Sequence, residues 1–355
     1  MRYLILVCTM ILVSFNSVCR ADSQHPGIYY RNYQLDANTL IHVLTIDPTK
    51  LKIIAARAQD AGYPLSSVEA IAKHFSAIAA INGGFFRLDQ PTTGAGLAAG
   101  VLKINNLWHG IAYKARGSIG WDPENNTVLV DRLQTASSLE INQQRVPINS
   151  FNRFVTDNKS CLLSDSFREP ISANTNVVYV FKDNRISEIY TGQSKELPMG
   201  SYAYSVSNIN QAAMAQVKVG DIVNLRIKAL PQLAPANAEL WDKLPFVVGG
   251  GPVLIYNSSV IHDYSKEKMR ADFIDQLHAR TAIGILANKH WVLVSSSGMT
   301  IPALGKFMHS LGCVYAVNLD GGGSTAMYYA SASLIDNTNF GRPVSDAILV
   351  LERIK

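Results

Sequence analysis

The chain has 355 residues, 48% of them hydrophobic, 17% charged, and a formal net charge of +5. That is ample for a large core and sits near the upper limit for one domain. The charge excess is mild and forms no dense Lys/Arg stripe, which argues against a nucleic-acid binder.

Arg2 opens a short positive segment, an apolar run follows over residues 3–13, and small and polar residues lead to Cys19-Arg20-Ala21. This is the layout of a cleavable secretory signal over residues 1–21, and the run is too short to span a bilayer. No later segment is apolar for long enough to cross. The mature chain, 22–355, is expected as a single secreted or periplasmic domain. Cleavage removes Arg2 and Arg20, leaving 30 basic against 27 acidic residues, a charge of +3. It also leaves two of the four cysteines, Cys161 and Cys313. An exported protein permits a disulfide between them, and two buried thiols fit the same sequence.

Residues 40–46 and 51–57 are apolar runs separated by the turn Asp47-Pro48-Thr49-Lys50, so two strands are predicted. Ser66 or Ser67 can cap a helix with Val68, Ile71 and Phe75 as its apolar stripe. Residues 77–81 then read as a buried strand running into Asn82-Gly83-Gly84. The middle section, roughly 115–230, is β-rich. In the final third, 246–248, 291–294, 314–319 and 347–351 read as strands, and 301–311 as a helix closed by Gly312. Strands and helices without strict alternation predict an α+β fold with a mixed sheet.

Three of these apolar runs stop in glycine clusters: Asn82-Gly83-Gly84, Gly249-Gly250-Gly251 and Asp320-Gly321-Gly322-Gly323. Glycine weakens a strand, but it lets main-chain N–H groups converge on an anion and lets a ligand approach closely. Three such clusters predict one shared pocket. At the third, Asp320 ends a strand and can point into a cleft. Gly321 to Gly323 offer consecutive N–H donors, and Ser324-Thr325 is expected to begin a helix whose positive end faces the same space. The eight histidines show no zinc spacing, and there is neither a Gly-x-Ser-x-Gly elbow nor a Gly-Lys-Ser/Thr phosphate loop.

The chain resembles the phosphodiester glycosidase family. The resemblance rests on residues 80–86, Gly249-Gly250-Gly251-Pro252-Val253-Leu254 and Arg280-Thr281-Ala282-Ile283-Gly284. It continues through Gly298-Met299-Thr300, Asn318 to Met327 and Arg342-Pro343-Val344, so that it runs from about residue 45 to the C-terminus. One segment departs from the family pattern: Val294-Ser295-Ser296-Ser297-Gly298 stands where relatives commonly carry an Asp-Gly-Arg-like sequence.

The resemblance implies an exported hydrolase that cleaves the C–O bond of a sugar-1-phosphodiester, of the N-acetylglucosamine type or a related sugar, in polysaccharide or glycoconjugate turnover. Its partner is a small-molecule or glycan substrate carrying a phosphodiester. Neither nucleic acid nor, after signal cleavage, membrane is expected. Such cleavage passes through an oxocarbenium-like state that a carboxylate stabilises or attacks. The phosphodiester leaves as a weakly basic anion that needs cations and N–H groups. Asp320 is the expected nucleophile or base, and Arg280 and Asn82 the other catalytic candidates. Gly83, Gly84, Gly250, Gly251, Ser297, Asn318, Gly321, Gly322, Gly323, Ser324, Thr325 and Arg342 are the expected substrate contacts. No cofactor is expected, a divalent metal beside Asp320 being left open. Two other readings use the same residues: a phosphoglycan binder without turnover, and a phosphodiesterase that cuts the P–O bond.

Overall fold

A computed structural model describes residues 17–21, 25–62, 64–88, 96–153, 160–167, 171–172, 176–207, 214–330, 334–335 and 341–353. The apolar part of the expected signal lies outside them. Strand accounts for 49% of the chain and helix for 15%, so the protein is β-rich, in rough accord with the α+β expectation.

Among the described residues the strands form three main sheets, a middle one and a two-stranded ladder of residues 171–172 with 194–195. The first runs from an N-terminal hairpin through Leu40–Ile46, Trp291–Met299, His278–Leu286 and Cys313–Asn318 to Val253–Tyr256 and Ser259–Val260. The second is built on the long strand Thr127–Ile141, with Arg116–Asp122 and Val223–Pro231 on either side of it and Phe246–Gly249 further in. The third joins Leu51–Arg57, Asp346–Glu352, Ala79–Asn82 and Met327–Tyr329. The middle sheet contains the one parallel pair among these ladders, Ser150–Phe151 beside Cys161–Leu162. The predicted mixed sheet is therefore confined to the middle section, because hairpins and long returns rather than helical crossovers connect the strands.

The three main sheets share a core. Leu44, Ile53, Ile81, Ile119, Val248, Val317 and Ile348 are all buried in one apolar cluster. Trp121 stacks on Phe246 with ring centroids 5.5 Å apart and meets Trp291 edge-on at 5.4 Å. Its indole N–H donates to the Ile53 carbonyl at 2.8 Å, so this large side chain is buried without an orphan donor. Ser67 caps helix Val68–His74, its side chain accepting from Ala70 N–H. Thr300 does the same for helix Ile301–Ser310, and Gly312 follows in the left-handed region at φ +85°. Cys161 and Cys313 are buried free thiols in different sheets.

Candidate active site

Strands Ala79–Asn82, Phe246–Gly249 and Cys313–Asn318 belong to three different sheets, and their ends meet. Asp320 N–H donates to the Gly83 carbonyl at 3.2 Å, and Gly251 N–H to the Asn318 carbonyl at 2.7 Å. The crossings are close. A Cβ on Gly84 would stand 2.3 Å from the Gly249 carbonyl oxygen, and one on Gly250 2.3 Å from that of Asn318. Glycine is required here because main chains from different sheets touch.

The amides of the three clusters have different uses. Gly249, Gly250 and Gly251 donate to Val101, Gly117 and Asn318 carbonyls, and Gly83 and Gly84 donate to the main-chain and side-chain oxygens of Asp346. Two clusters thus consume their donors within the fold. Gly321 donates to the Asp320 carboxylate at 2.9 Å. Among the described residues the amides of Gly322 and Gly323 have no protein acceptor, and Gly323 is exposed. Of the three clusters, this loop alone keeps amides open for a ligand among the described residues.

Asp320 is mostly buried, and desolvation raises its pKa against the opposing pull of Ser324, the Gly321 amide and Arg342. Arg342 Nη2 lies 3.9 Å from Asp320 Oδ2. Its Nε donates to Ser324 Oγ at 2.8 Å, and its guanidinium sits 5.8 Å from the centre of the Phe86 ring. Its side chain is 39% exposed, so the cation stands at the mouth of the site with the carboxylate behind it. The predicted helix after Gly323 is replaced by a 3-10 turn, Gly322–Ser324, followed by strand Met327–Tyr329. The β-forming Met327-Tyr328-Tyr329 run pairs with residues 79–81 instead, so no helix dipole faces the carboxylate.

The other candidates take positions inside the framework. Asn82 is fully buried: its Nδ2 donates to the Asp320 carbonyl at 2.9 Å, and its Oδ1 accepts from Thr281 Oγ1 and Ala326 N–H. It ties the Asp320 loop to two strands and has no side-chain donor directed at solvent. Arg280 is 1% exposed. It donates to the carbonyls of Met299, Phe273 and Gln276 and stacks over the Phe273 ring. Without a carboxylate partner, its pKa is pushed down to about 10 by burial. The expected contact of Arg280 with a leaving phosphate is thus replaced by a brace for the segment after helix Ala271–Asp275. Ser297 donates to the Asn38 carbonyl and accepts from the Leu40 amide where the neighbouring strands Leu40–Ile46 and Trp291–Met299 end. Asn318 Nδ2 donates to the Gly251 and Leu319 carbonyls, while Asn318 Oδ1 and Thr325 Oγ1 are buried without a partner among the described residues.

One residue of the site is not a sequence candidate. Asp346 begins the central strand Asp346–Glu352 beside Asn82. It is 2% exposed, accepts from Gly84 N–H at 3.0 Å and Ser345 Oγ at 2.6 Å, and lies close enough to feel the charge of Asp320. Burial first and the Asp320 carboxylate second raise its pKa from 3.8 to about 6. The sign of its pH effect follows. Between pH 4 and 6 the folded state holds a proton that the unfolded state has lost, so stability falls as pH rises through that window. The gap corresponds to about 3 kcal/mol at most. Asp346→Asn is accordingly expected to be more stable than the parent at pH 7.5 and no more stable at pH 4. Urea midpoints measured at both pH values check this, and a gain independent of pH would contradict it.

Residues 175–351 match the phosphodiester glycosidase family. Among solved structures, a hypothetical protein from Synechocystis is similar over 92% of this chain, with a TM-score of 0.72 and 23% identity. The chain spans 62% of that protein's length. An exported-protein structure from Burkholderia pseudomallei is similar over 90% of this chain and 74% of its own, with a TM-score of 0.68 and 19% identity. At these identities the likeness speaks for the fold. The catalytic domain of zebrafish N-acetylglucosamine-1-phosphodiester alpha-N-acetylglucosaminidase aligns at a TM-score of 0.42 and 12% identity, too low to carry an argument. No curated protein matches the chain. The match over residues 175–351 takes in the second and third glycine clusters, Asp320, Arg342 and Asp346, and through that segment the chain belongs to the phosphodiester glycosidase family.

Proposed function

We propose that the chain is an exported glycosidase that cleaves the C–O bond of a sugar-1-phosphodiester. The observation that carries this reading is one juxtaposition. Asp320 is mostly buried behind Arg342 at 3.9 Å, and the open amides of Gly322 and Gly323 lie in the loop between them. The carboxylate suits an oxocarbenium-like centre, and the guanidinium and amides suit a departing phosphate. In this reading the phosphodiester oxygens bind Arg342 and the loop amides, which sets the anomeric carbon against Asp320. The C1–O bond breaks with its electron pair going to the phosphate, and Asp320 either attacks C1 or takes a proton from the attacking water. Asn82 and Arg280 are positioning residues: one fixes the Asp320 main chain, the other ties the segment around helix Ala271–Asp275 to the end of strand Trp291–Met299. Export, and a glycan of the cell envelope or its surroundings as substrate, follow from the N-terminal signal pattern.

Hydrolysis of an N-acetylglucosamine α-phosphodiester in oxygen-18 water tests the reaction class. Label in the released sugar is the expected result. Label in the phosphate would assign P–O cleavage and overturn the proposal.

A further inference from the structure

A cavity of about 600 Å³ lies apart from the glycine junction and shares no lining residue with it. It opens beside the hairpin of strands Leu102–Ile104 and Leu107–Gly110, against strand Val223–Pro231 and the middle sheet. Lys103 lines it and is 3% exposed. Its ammonium donates to the Asp242 carbonyl at 2.8 Å and sits 5.3 Å from the centre of the Trp108 ring. Among the described residues it forms no direct ion pair, although the Asp242 carboxylate is close enough to act on its charge. The Asp242 carboxylate is turned to the Ala229 amide at 2.9 Å instead. A buried ammonium held by one carbonyl, with the Asp242 carboxylate near but not paired to it, is only partly compensated in a medium that penalises charge, and desolvation pulls its pKa down to about 8 against the opposing pull of Asp242.

The rest of the lining repeats that imbalance. Arg226 and Lys228 stand two residues apart on one strand, so both side chains project from its exposed face. Neither has an ion-pair partner among the described residues. Lys182 adds a fourth cation, bound only to the Met199 carbonyl, against the two acids Asp183 and Asp242. Four cations lining one cavity against two acids are the complement of a multiply charged anion. The volume is well beyond a bare phosphate and falls in the range of small-molecule sites. Asn106 and Asn184 place amide groups in the same lining, as hydroxyl-bearing ligands require.

We propose that this cavity is a second binding site, which takes a phosphorylated saccharide through its phosphate and is separate from the Asp320 site. Lys103 and Lys228 receive the phosphate, and the asparagine amides receive hydroxyls. The site needs no turnover and stands whether or not Asp320 is catalytic.

Calorimetric titration of the full mature chain with glucose 6-phosphate tests it, with inorganic phosphate and glucose as comparison probes. Saturable binding is expected in the parent and in Asp320→Asn alike. Lys103→Met should weaken it at least tenfold, Lys228→Gln severalfold, and glucose should not bind. Lys228 is on the surface, so that variant keeps the test valid if Lys103→Met folds poorly. Binding that disappears in Asp320→Asn, or that survives unchanged in Lys228→Gln and in folded Lys103→Met, would overturn the proposal. So would no saturation by the parent up to about 10 mM, a limit below which binding is worth less than about 3 kcal/mol. Inorganic phosphate binding as tightly as the sugar phosphate would also overturn it, by removing the saccharide.

Discussion

Asp320→Asn is expected to lose at least about a thousandfold in turnover of a glycosyl phosphodiester, the scale seen when a nucleophile or its base is removed. The substitution keeps the shape and leaves the main-chain ties intact: Asp320 N–H to Gly83, and Asn82 to the Asp320 carbonyl. Asn can still accept from the Gly321 amide, so folding should survive. Asp320 has its pKa raised by burial, and replacing a poorly solvated charge with an amide relieves rather than imposes a cost. The variant should therefore melt close to the parent while its kcat collapses. Arg342→Gln provides the contrast. That cation is 39% exposed and is placed to meet the phosphate, so its loss should raise KM as well as lower kcat. Retained hydrolysis by folded Asp320→Asn would remove this carboxylate from the reaction.

Much of the scaffold was legible because local patterns and tertiary pairing agree. The predicted bounds of Leu40–Ile46 and Leu51–Arg57 match the observed strands, and of the two serines expected as helix cap, Ser66 and Ser67, the structure uses Ser67. The three glycine clusters were visible because each interrupts an apolar run. What each glycine does was not, since it depends on which carbonyl from another sheet passes within contact distance. The same limit hid Asp346. Beside Ser345 it reads as an ordinary polar strand start, and it becomes a buried neighbour of Asp320 only when its strand pairs with Ala79–Asn82, some 265 residues earlier. The surroundings of Arg280 were equally hidden. The chemistry implied by the family resemblance made it a candidate for the leaving phosphate, but its guanidinium is bound to carbonyls of a short helix and its end. The helix expected after Gly323 gave way to pairing of Met327–Tyr329 with a central strand, a tertiary gain that local propensity cannot register.

Glu267 shows how far support for the site extends beyond its recognisable residues, and its removal should have the largest effect on stability. It lies in Ser265-Lys266-Glu267-Lys268, a run that reads as solvated charge, yet it is 0% exposed. Its carboxylate accepts from Gly117 N–H at 2.6 Å, Val253 N–H at 2.8 Å and Arg132 Nε at 3.2 Å. A Cβ on Gly251 would come within 2.7 Å of Glu267 Oε2, so the side chain packs directly beneath the second glycine cluster. Burial raises its pKa, and the two amides and Arg132 oppose that shift. Glu267→Ala would strand two buried main-chain donors and the guanidinium of Arg132, which is itself 10% exposed. Removing one partner from a buried, hydrogen-bonded charge pair costs about 3–5 kcal/mol, because the remaining charge has no solvent to turn to. Glu267→Gln should lose less but still measurably, since one oxygen becomes an NH₂ facing a donor. Urea denaturation should show both midpoints lowered, alanine more than glutamine, with the slope unchanged. If Glu267→Ala kept the parental midpoint, the Gly249–Gly251 loop would be held by its main-chain bonds alone, and the carboxylate would have no part in shaping the site.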